Sequence, residues 1–115
     1  MSNLDEIKNR IEALRALSDP EQQVDITAWR DQIDAIDQIL MLLLNERSVC
    51  ANNIGHIKKE LNLPIYVPER EKIVLENVLK GNPGPLDDTA IRALFERIVD
   101  ETRSLERRKY QNPNP

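Results

Sequence analysis

The chain has 115 residues, a formal net charge of -4 and only 3% aromatic residues, which together predict one domain that is rich in helix and poor in strand. The negative charge argues against a general nucleic-acid or anionic-membrane surface. No apolar run reaches the ~18 residues of a membrane span, the N-terminus lacks the apolar region of a signal peptide, and the single cysteine, Cys50, excludes an internal disulfide. We therefore expect a cytoplasmic protein with no nucleic-acid or membrane partner.

The first predicted element is a short helix over residues 1–17, because apolar residues recur at helical spacing on one face: Leu4, Ile7, Ile11 and Leu14. Ser2 followed by Asp5 resembles a capping box at its start, and Pro20 lies beyond its end. We expect this face to pack on the main body; the alternative is a loosely attached extension. Residues 1–20 are thus expected to form an N-terminal helical extension, and residues 21–115 the main domain.

The longest predicted helix runs from Thr27 to about Asn62, with Asp25 or Thr27 as its cap. Its apolar residues alternate at spacings of four and three, as in the seam of a coiled coil: Trp29, Ile33, Ile36, Leu40, Leu43, Cys50, Ile54, Ile57 and Leu61. A helix of roughly 36 residues is about 54 Å long, whereas a compact chain of this length has a diameter of roughly 35 Å. The chain cannot cover this seam alone, so an intertwined dimer is expected.

Two shorter helices are predicted after an extended connector at residues 62–67, which precedes and contains prolines. Pro68 suits the first turn of one helix, which stops at Gly81 and whose apolar face holds Ile73, Val74, Val78 and Leu79. After a turn at residues 82–85, Asp87 or Asp88 caps a last helix that runs to about Tyr110. Its inner face holds Ile91, Leu94, Phe95, Ile98, Val99 and Leu105. The fold class is therefore all-α, with three main helices and one short N-terminal helix.

Arg47 occupies the one position of the seam that lacks an apolar side chain. A cation in an apolar stripe needs an anionic partner, either a bound ligand or a structural carboxylate such as Glu46 or Glu76. Lys58 lies eleven residues further on, which is three helical turns, so both side chains can converge on one small anion. Arg30 lies about 25 Å from Arg47 along the helix, but in an antiparallel dimer it could reach the partner's site. The spacing suggests two composite anion sites per dimer.

Four further polar residues lie where they could join such a site. Arg70 and Glu71 fall in the first turn of the second main helix, and Thr102 and Glu106 share one face of the third. A carboxyl group in apolar surroundings has a raised pKa and can stay protonated as a donor. Taken singly, each charged position could equally be a solvated or helix-end charge. No second histidine or cysteine accompanies His56 at metal-ligand spacing, and no phosphate loop or nucleophile–base pair is present, so neither metal nor cofactor is expected.

Taken together, these residues resemble the all-helical class of chorismate mutases. The resemblance covers about residues 28–107 and rests on the order and spacing of five segments: Trp29 to Asp37, Leu42 to Arg47, Ile54 to Lys58, Pro64 to Glu71, and Phe95 to Glu106. It implies an intertwined homodimer. The enzymes of this family isomerise chorismate to prephenate in the shikimate pathway, on the way to phenylalanine and tyrosine. That pericyclic rearrangement uses no covalent intermediate, metal or cofactor.

The resemblance also implies a role for each candidate residue. Arg47, together with Arg30 of the other subunit, would hold the two substrate carboxylates. Lys58 would donate to the ether oxygen, which gains negative charge as its C–O bond breaks. Glu106 stands where many relatives have glutamine, and only its protonated form could donate to the same oxygen. Four residues would have supporting roles. Val67 would donate through its backbone N–H, and Arg70 would add a nearby charge. Glu71 would accept from the ring hydroxyl, and Thr102 would contact a carboxylate.

Two alternatives stay open on the sequence alone. An isochorismate pyruvate-lyase forms salicylate on the same fold and needs the same cationic clamp, but Glu71 matches a hydroxyl-binding residue of the mutases. A non-catalytic helical dimerisation module would have no need for Arg30, Arg47, Lys58 and Glu106 together. Their joint presence favours an enzyme, and Glu71 favours the mutase.

Overall fold

The computed structural model describes residues 3–16 and 26–111. Every regular element in these ranges is helical: α1 (Asn3–Ala16), α2 (Ile26–Glu60), α3 (Pro68–Lys80), α4 (Asp88–Glu106) and a π-helical turn (Arg107–Gln111). The all-α prediction is confirmed. None of the helices described is both long enough and apolar enough to cross a membrane. The chain divides into two compact units, Met1–Leu43 and Leu44–Pro115.

The first unit contains α1 and the N-terminal part of α2. In α1, Ile11 is exposed, whereas the predicted cap Ser2 lies outside the described residues. Because α2 begins at Ile26, Thr27 lies inside the helix, and the prediction of Thr27 as its cap is wrong. The other candidate cap, Asp25, and the predicted domain boundary near residue 20 also lie outside the described residues. The packing of α1 on the main body stays a prediction.

The described part of the chain leaves most of the apolar seam of α2 exposed. Large apolar side chains are exposed along the helix, from Ile33 (55%) and Leu40 (50%) to Ile54 (52%) and Leu61 (63%). None of the apolar residues in the described ranges is fully buried. Because burial of apolar surface is the main favourable contribution to folding, this seam needs a further apolar surface to be stable.

In the second unit, α3 and α4 pack against each other. Their contact half-buries most of the predicted inner faces, including Val74, Val78, Leu79, Ile91, Phe95, Ile98 and Val99. Ile73, on the predicted apolar face of α3, and Leu94 and Leu105, on the predicted inner face of α4, are instead exposed in the single chain. A contact between two helices covers only part of each apolar stripe, and these three side chains lie on the uncovered part.

The end of α2 is a Schellman motif that turns the chain back toward the helix. Asn62 has a left-handed backbone with φ 55°, which asparagine tolerates better than most residues. The Leu63 N–H donates to the Lys58 carbonyl at 2.8 Å, and the Asn62 N–H to the Lys59 carbonyl at 3.3 Å. The returning connector places the Ile65 carbonyl 2.9 Å from Lys58 Nζ, which donates to it. The motif therefore fixes the side chain of Lys58 as well as the helix end.

The predicted start and end of α3 and the predicted cap of α4 are confirmed. Pro68 is the first residue of α3, and the helix stops before Gly81. The Asp87 carboxylate caps α4 by accepting a hydrogen bond of 2.8 Å from the Ala90 N–H. The last helix ends at Glu106, earlier than predicted, because the chain continues as a π-helical turn. These caps set the boundaries of the two helices that face α2 in the second unit.

Replacing Asp87 with alanine should lower the free energy of unfolding by about 1 kcal/mol, because the Ala90 N–H loses its acceptor. Denaturant unfolding at a fixed protein concentration would measure this change. The control is Glu96→Ala at an exposed position of the same helix, which should change the free energy by less than about 0.5 kcal/mol. Equal unfolding free energies for Asp87→Ala and the unaltered protein would contradict the capping role.

Candidate active site

A pocket in the second unit gathers most of the predicted site residues. Its volume is about 230 Å³, and its walls come from α2, the connector, α3 and α4. The predicted residues that line it are Arg47, Lys58, Val67, Arg70, Glu71, Thr102 and Glu106. Arg103 and a group of smaller or apolar residues complete the walls: Cys50, Ala51, Ile54, Ile65, Val74 and Val99. Arg30 belongs to the first unit, where it is exposed.

Arg47 is held by a neutral partner. Its Nη1 donates to Thr102 Oγ1 at 2.9 Å, and that hydroxyl donates in turn to the Ile98 carbonyl at 2.9 Å. The hydroxyl has only one proton. Its hydrogen bond to the Ile98 carbonyl fixes the direction of that proton and leaves an oxygen lone pair to accept from Arg47. Among the described residues no carboxylate forms an ion pair with Arg47, so the structural salt bridge to Glu46 or Glu76 does not hold. Its charge is available to an anion in the pocket.

Lys58 is held in a similar way. Its ammonium donates one hydrogen bond to the Ile65 carbonyl, and an ammonium has three protons. No described carboxylate lies within ion-pair distance of Nζ. Lys58 therefore has a fixed direction, no carboxylate partner among the described residues, and further protons to donate into the pocket.

Glu106 is half-buried, and its Oε2 is a buried oxygen without a hydrogen-bond partner among the described residues. Burial raises the pKa of the Glu106 carboxyl above its ordinary value, while Lys58 and then Arg47 draw the pKa partly back down. Buried polar atoms without partners are uncommon in native proteins. The raised pKa has the direction expected from the sequence, and it favours a protonated carboxyl that can donate a hydrogen bond.

Arg103 lines the pocket but was not predicted from the sequence. Its Nη1 donates to both carboxylate oxygens of Glu71, at 3.1 and 3.3 Å, and its Nη2 donates to Asp100 at 2.7 Å. The guanidinium carbon lies 4.8 Å from the centroid of the Tyr66 ring. One signal was available: Arg103 precedes Glu106 by three residues and so lies on the same side of α4. The pairing with Glu71 depends on how α3 and α4 pack.

Val67 and Arg70 border the pocket at the start of α3. The Val67 carbonyl accepts from the Arg70 N–H at 3.0 Å, and the Arg70 side chain is exposed and forms no ion pair with a described residue. In the described ranges, no three histidine, cysteine, aspartate or glutamate residues cluster as a metal site. The pocket thus offers cations, hydrogen-bond donors and one anionic acceptor to a small molecule.

The fold and the site together define an all-helical protein with a cationic pocket. Residues 29–107 match the family described as chorismate mutase type II, and the chain belongs to this family. Form II of the chorismate mutase from Thermus thermophilus has a similar structure, with a TM-score of 0.71 and 38% identity over 74% of this chain and 97% of that one. Both the predicted family and its fold are confirmed.

Two curated relatives illustrate the range of lengths. The chorismate mutase of Methanocaldococcus jannaschii is 29% identical over 89 residues, which cover 74% of this chain and 90% of the relative. The bifunctional chorismate mutase/prephenate dehydratase of Aquifex aeolicus is 40% identical over 83 residues, or 69% of this chain. The matched part of this chain spans only 23% of that bifunctional protein.

Replacing Lys58 with methionine should raise the pKa of Glu106 further, because the ammonium favours the ionised carboxyl. Arg47→Met should raise this pKa by less, because Arg47 has the smaller lowering effect. A carbon-13 NMR titration of the Glu106 carboxyl would measure both. Lys59→Met, at an exposed position next to Lys58, is the control. An unchanged or lower pKa of Glu106 in Lys58→Met would contradict this electrostatic account.

Proposed function

We propose that the chain is a chorismate mutase, which isomerises chorismate to prephenate. The observation that carries this proposal is the meeting of Arg47, Lys58 and the unpartnered Glu106 Oε2 in one pocket. Arg47 suits a substrate carboxylate, and Lys58 and Glu106 offer two donors to an oxygen that gains negative charge. The family of the chain and the names of its relatives support the same reaction.

The reaction needs positioning and charge stabilisation. The ether C–O bond of chorismate breaks while a new C–C bond forms within the same molecule, so no group leaves and no electron acceptor is needed. Arg47, oriented by Thr102, would bind a carboxylate and help to select the compact conformer in which the reacting carbons meet. Lys58 would donate to the ether oxygen, where negative charge develops in the transition state.

Glu106 would act as the second donor to the ether oxygen, in its protonated form. Glu71 would accept a hydrogen bond from the ring hydroxyl, because a carboxylate has about four acceptor sites and Arg103 occupies only part of them. The Val67 backbone N–H and the Arg70 guanidinium would contribute a further donor and a further positive charge at the pocket entrance. These assignments follow the roles that the sequence resemblance implies.

A homodimer is part of the proposal. The exposed apolar side chains along α2 (Ile33, Leu40, Ile54 and Leu61) form the kind of surface that a second copy of a coiled-coil helix covers. The partner copy would bring its Arg30 to the second substrate carboxylate. In the Aquifex relative the mutase is joined to a dehydratase that acts on prephenate. This supports a role for the protein in phenylalanine and tyrosine biosynthesis, and we propose that it acts in the cytoplasm.

The purified protein should convert chorismate to prephenate, with a kcat/KM that falls as the pH rises through the raised pKa of Glu106, because only the protonated carboxyl donates. Glu106→Gln should remove this pH dependence, since an amide N–H donates at every pH. Lys58→Met should lower kcat/KM by about 100- to 1000-fold, and Lys59→Met is its control. The loss of chorismate absorbance measures the rate, and mass spectrometry identifies the product.

The other outcomes of this assay separate the alternatives. Salicylate and pyruvate formed from isochorismate, with chorismate left unchanged, would reassign the protein as an isochorismate pyruvate-lyase. No turnover of either substrate would favour a non-catalytic dimerisation module. A flat pH profile for the unaltered enzyme would leave the mutase assignment in place and contradict the role of Glu106.

Arg30→Ala and Arg47→Ala should each be nearly inactive alone but restore activity when refolded together. If Arg30 acts in the partner's site, each mixed dimer contains one intact site, and random mixing restores about a quarter of the full activity. If both arginines acted within one chain, no mixed dimer would contain an intact site. Absence of restored activity, with mixed dimers demonstrated by native mass spectrometry, would therefore contradict the shared site.

A further inference from the structure

We propose that Arg103 is a positioning residue that holds the Glu71 carboxylate where it accepts from the ring hydroxyl of the substrate. The inference deepens the proposed function and rests on it, because it concerns recognition of that hydroxyl. It assigns a role to a residue that lies in the pocket wall and that no step of the proposed chemistry uses.

The geometry of the pair is that of an orienting contact. One guanidinium nitrogen of Arg103 reaches both oxygens of Glu71, at 3.1 and 3.3 Å. The side chains are only 29% and 26% exposed, so water screens this pair less than it screens a surface ion pair. A carboxylate held through both oxygens loses rotational freedom about its last bond, and its remaining lone pairs have defined directions.

Arg103 is poorly suited to bind a substrate carboxylate itself. Two protein carboxylates, Glu71 and Asp100, already accept from its two terminal nitrogens. Its third nitrogen, Nε, is buried and donates to none of the described residues. Arg47 differs from Arg103, since it donates to the neutral hydroxyl of Thr102. Arg47 therefore leaves its charge to the ligand, whereas Arg103 holds the protein's own acceptor.

Arg103 also connects three segments that border the pocket. Its guanidinium lies over the Tyr66 ring of the connector, and its carboxylate partners come from α3 and from its own helix, α4. The aromatic face restricts the plane of the guanidinium, and the ion pairs restrict its rotation within that plane. Glu71 lies in the first turn of α3, so its position depends on how this turn is held against α4.

The test begins with Arg103→Met, which keeps an apolar side chain of similar length over Tyr66 but removes the donors. A ring-hydroxyl contact exists in both the bound substrate and the transition state, so its loss should raise KM with little change in kcat. We expect a rise of about 10- to 100-fold in KM for chorismate, the effect of one hydrogen bond to a charged group. Arg103→Lys retains a charged donor and should recover part of the loss.

The matched control is Arg97→Met. Arg97 lies on the same helix and forms an ion pair of 2.7 Å with Glu101, but the two side chains are 78% and 59% exposed. Removal of this exposed pair should leave KM and kcat unchanged within about twofold. An equal loss in Arg97→Met would show that any ion pair on α4 supports the site, and would overturn the specific role of Arg103.

Two further measurements distinguish positioning from general support of the fold. An analogue of chorismate without the ring hydroxyl should inhibit Arg103→Met as well as it inhibits the unaltered enzyme. In a Glu71→Gln background, Arg103→Met should produce little additional rise in KM, because the residue acts through Glu71. Weaker inhibition by the hydroxyl-free analogue, or additive effects of the two substitutions, would overturn the proposal.

The order of the measurements separates this inference from the proposed function. Turnover of chorismate by the unaltered protein is measured first, and its absence would overturn the proposed function. Turnover by the unaltered protein together with a normal KM in Arg103→Met would overturn the role of Arg103 alone. Should Arg103→Met fail to fold, Arg103→Lys and the Glu71→Gln background provide the same comparison, with the same outcome overturning the proposal.

Discussion

The chemistry of the pocket depends on two cations whose hydrogen-bond partners within the protein are neutral. Arg47 donates to a hydroxyl and Lys58 to a backbone carbonyl. Such partners fix the direction of a side chain but leave its charge uncompensated, whereas a carboxylate would do both. With Arg70 also free of an ion pair among the described residues, the pocket is locally positive in a chain whose net charge is -4. That local reversal of charge is what a dianionic ligand requires.

Opposing effects act on the Glu106 carboxyl in this pocket. Burial disfavours its ionised form, whereas the two cations favour it. Because burial has the larger effect, the pKa of Glu106 is raised. A dianion that binds to Arg47 and Lys58 brings negative charge close to the carboxyl and offsets part of their positive charge. Both effects favour the protonated form further. The ligand would therefore strengthen the donor that the proposed reaction needs at the ether oxygen.

The sequence predicts best the features that depend on neighbours along the chain. Pro68, Gly81 and Asp87 indicate helix boundaries because their backbone or side-chain chemistry acts within one helical turn. The apolar seam identifies Arg47 for the same reason, since a break in a regular pattern is visible without a structure. The family resemblance then brings Lys58 and Glu106 into the same site, although they lie on different helices.

Features that depend on packing could not be predicted in this way. Arg103 and Glu71 are 32 positions apart, and only the approach of α3 to α4 makes them partners. Ile73 and Leu94 follow the helical pattern of inner residues but are exposed, because the pattern does not show how wide a contact each helix receives. The Schellman turn at Asn62 is an intermediate case. Asparagine at this position indicates a helix end, but the hydrogen bond from Lys58 to the Ile65 carbonyl depends on how the connector folds back.

The apolar seam shares α2 with Arg47 and Lys58, and in the proposed dimer this would link stability to activity. The uncovered side chains of α2 require an apolar partner, and a second copy would supply it together with an additional Arg30. In such an assembly the interactions that cover the seam also complete the clamp around the substrate. A variant that weakens the seam, far from any reacting atom, would then lose its second carboxylate contact as the dimer dissociates. The proposed dimer would explain why one long helix carries both a regular apolar pattern and its single cationic exception.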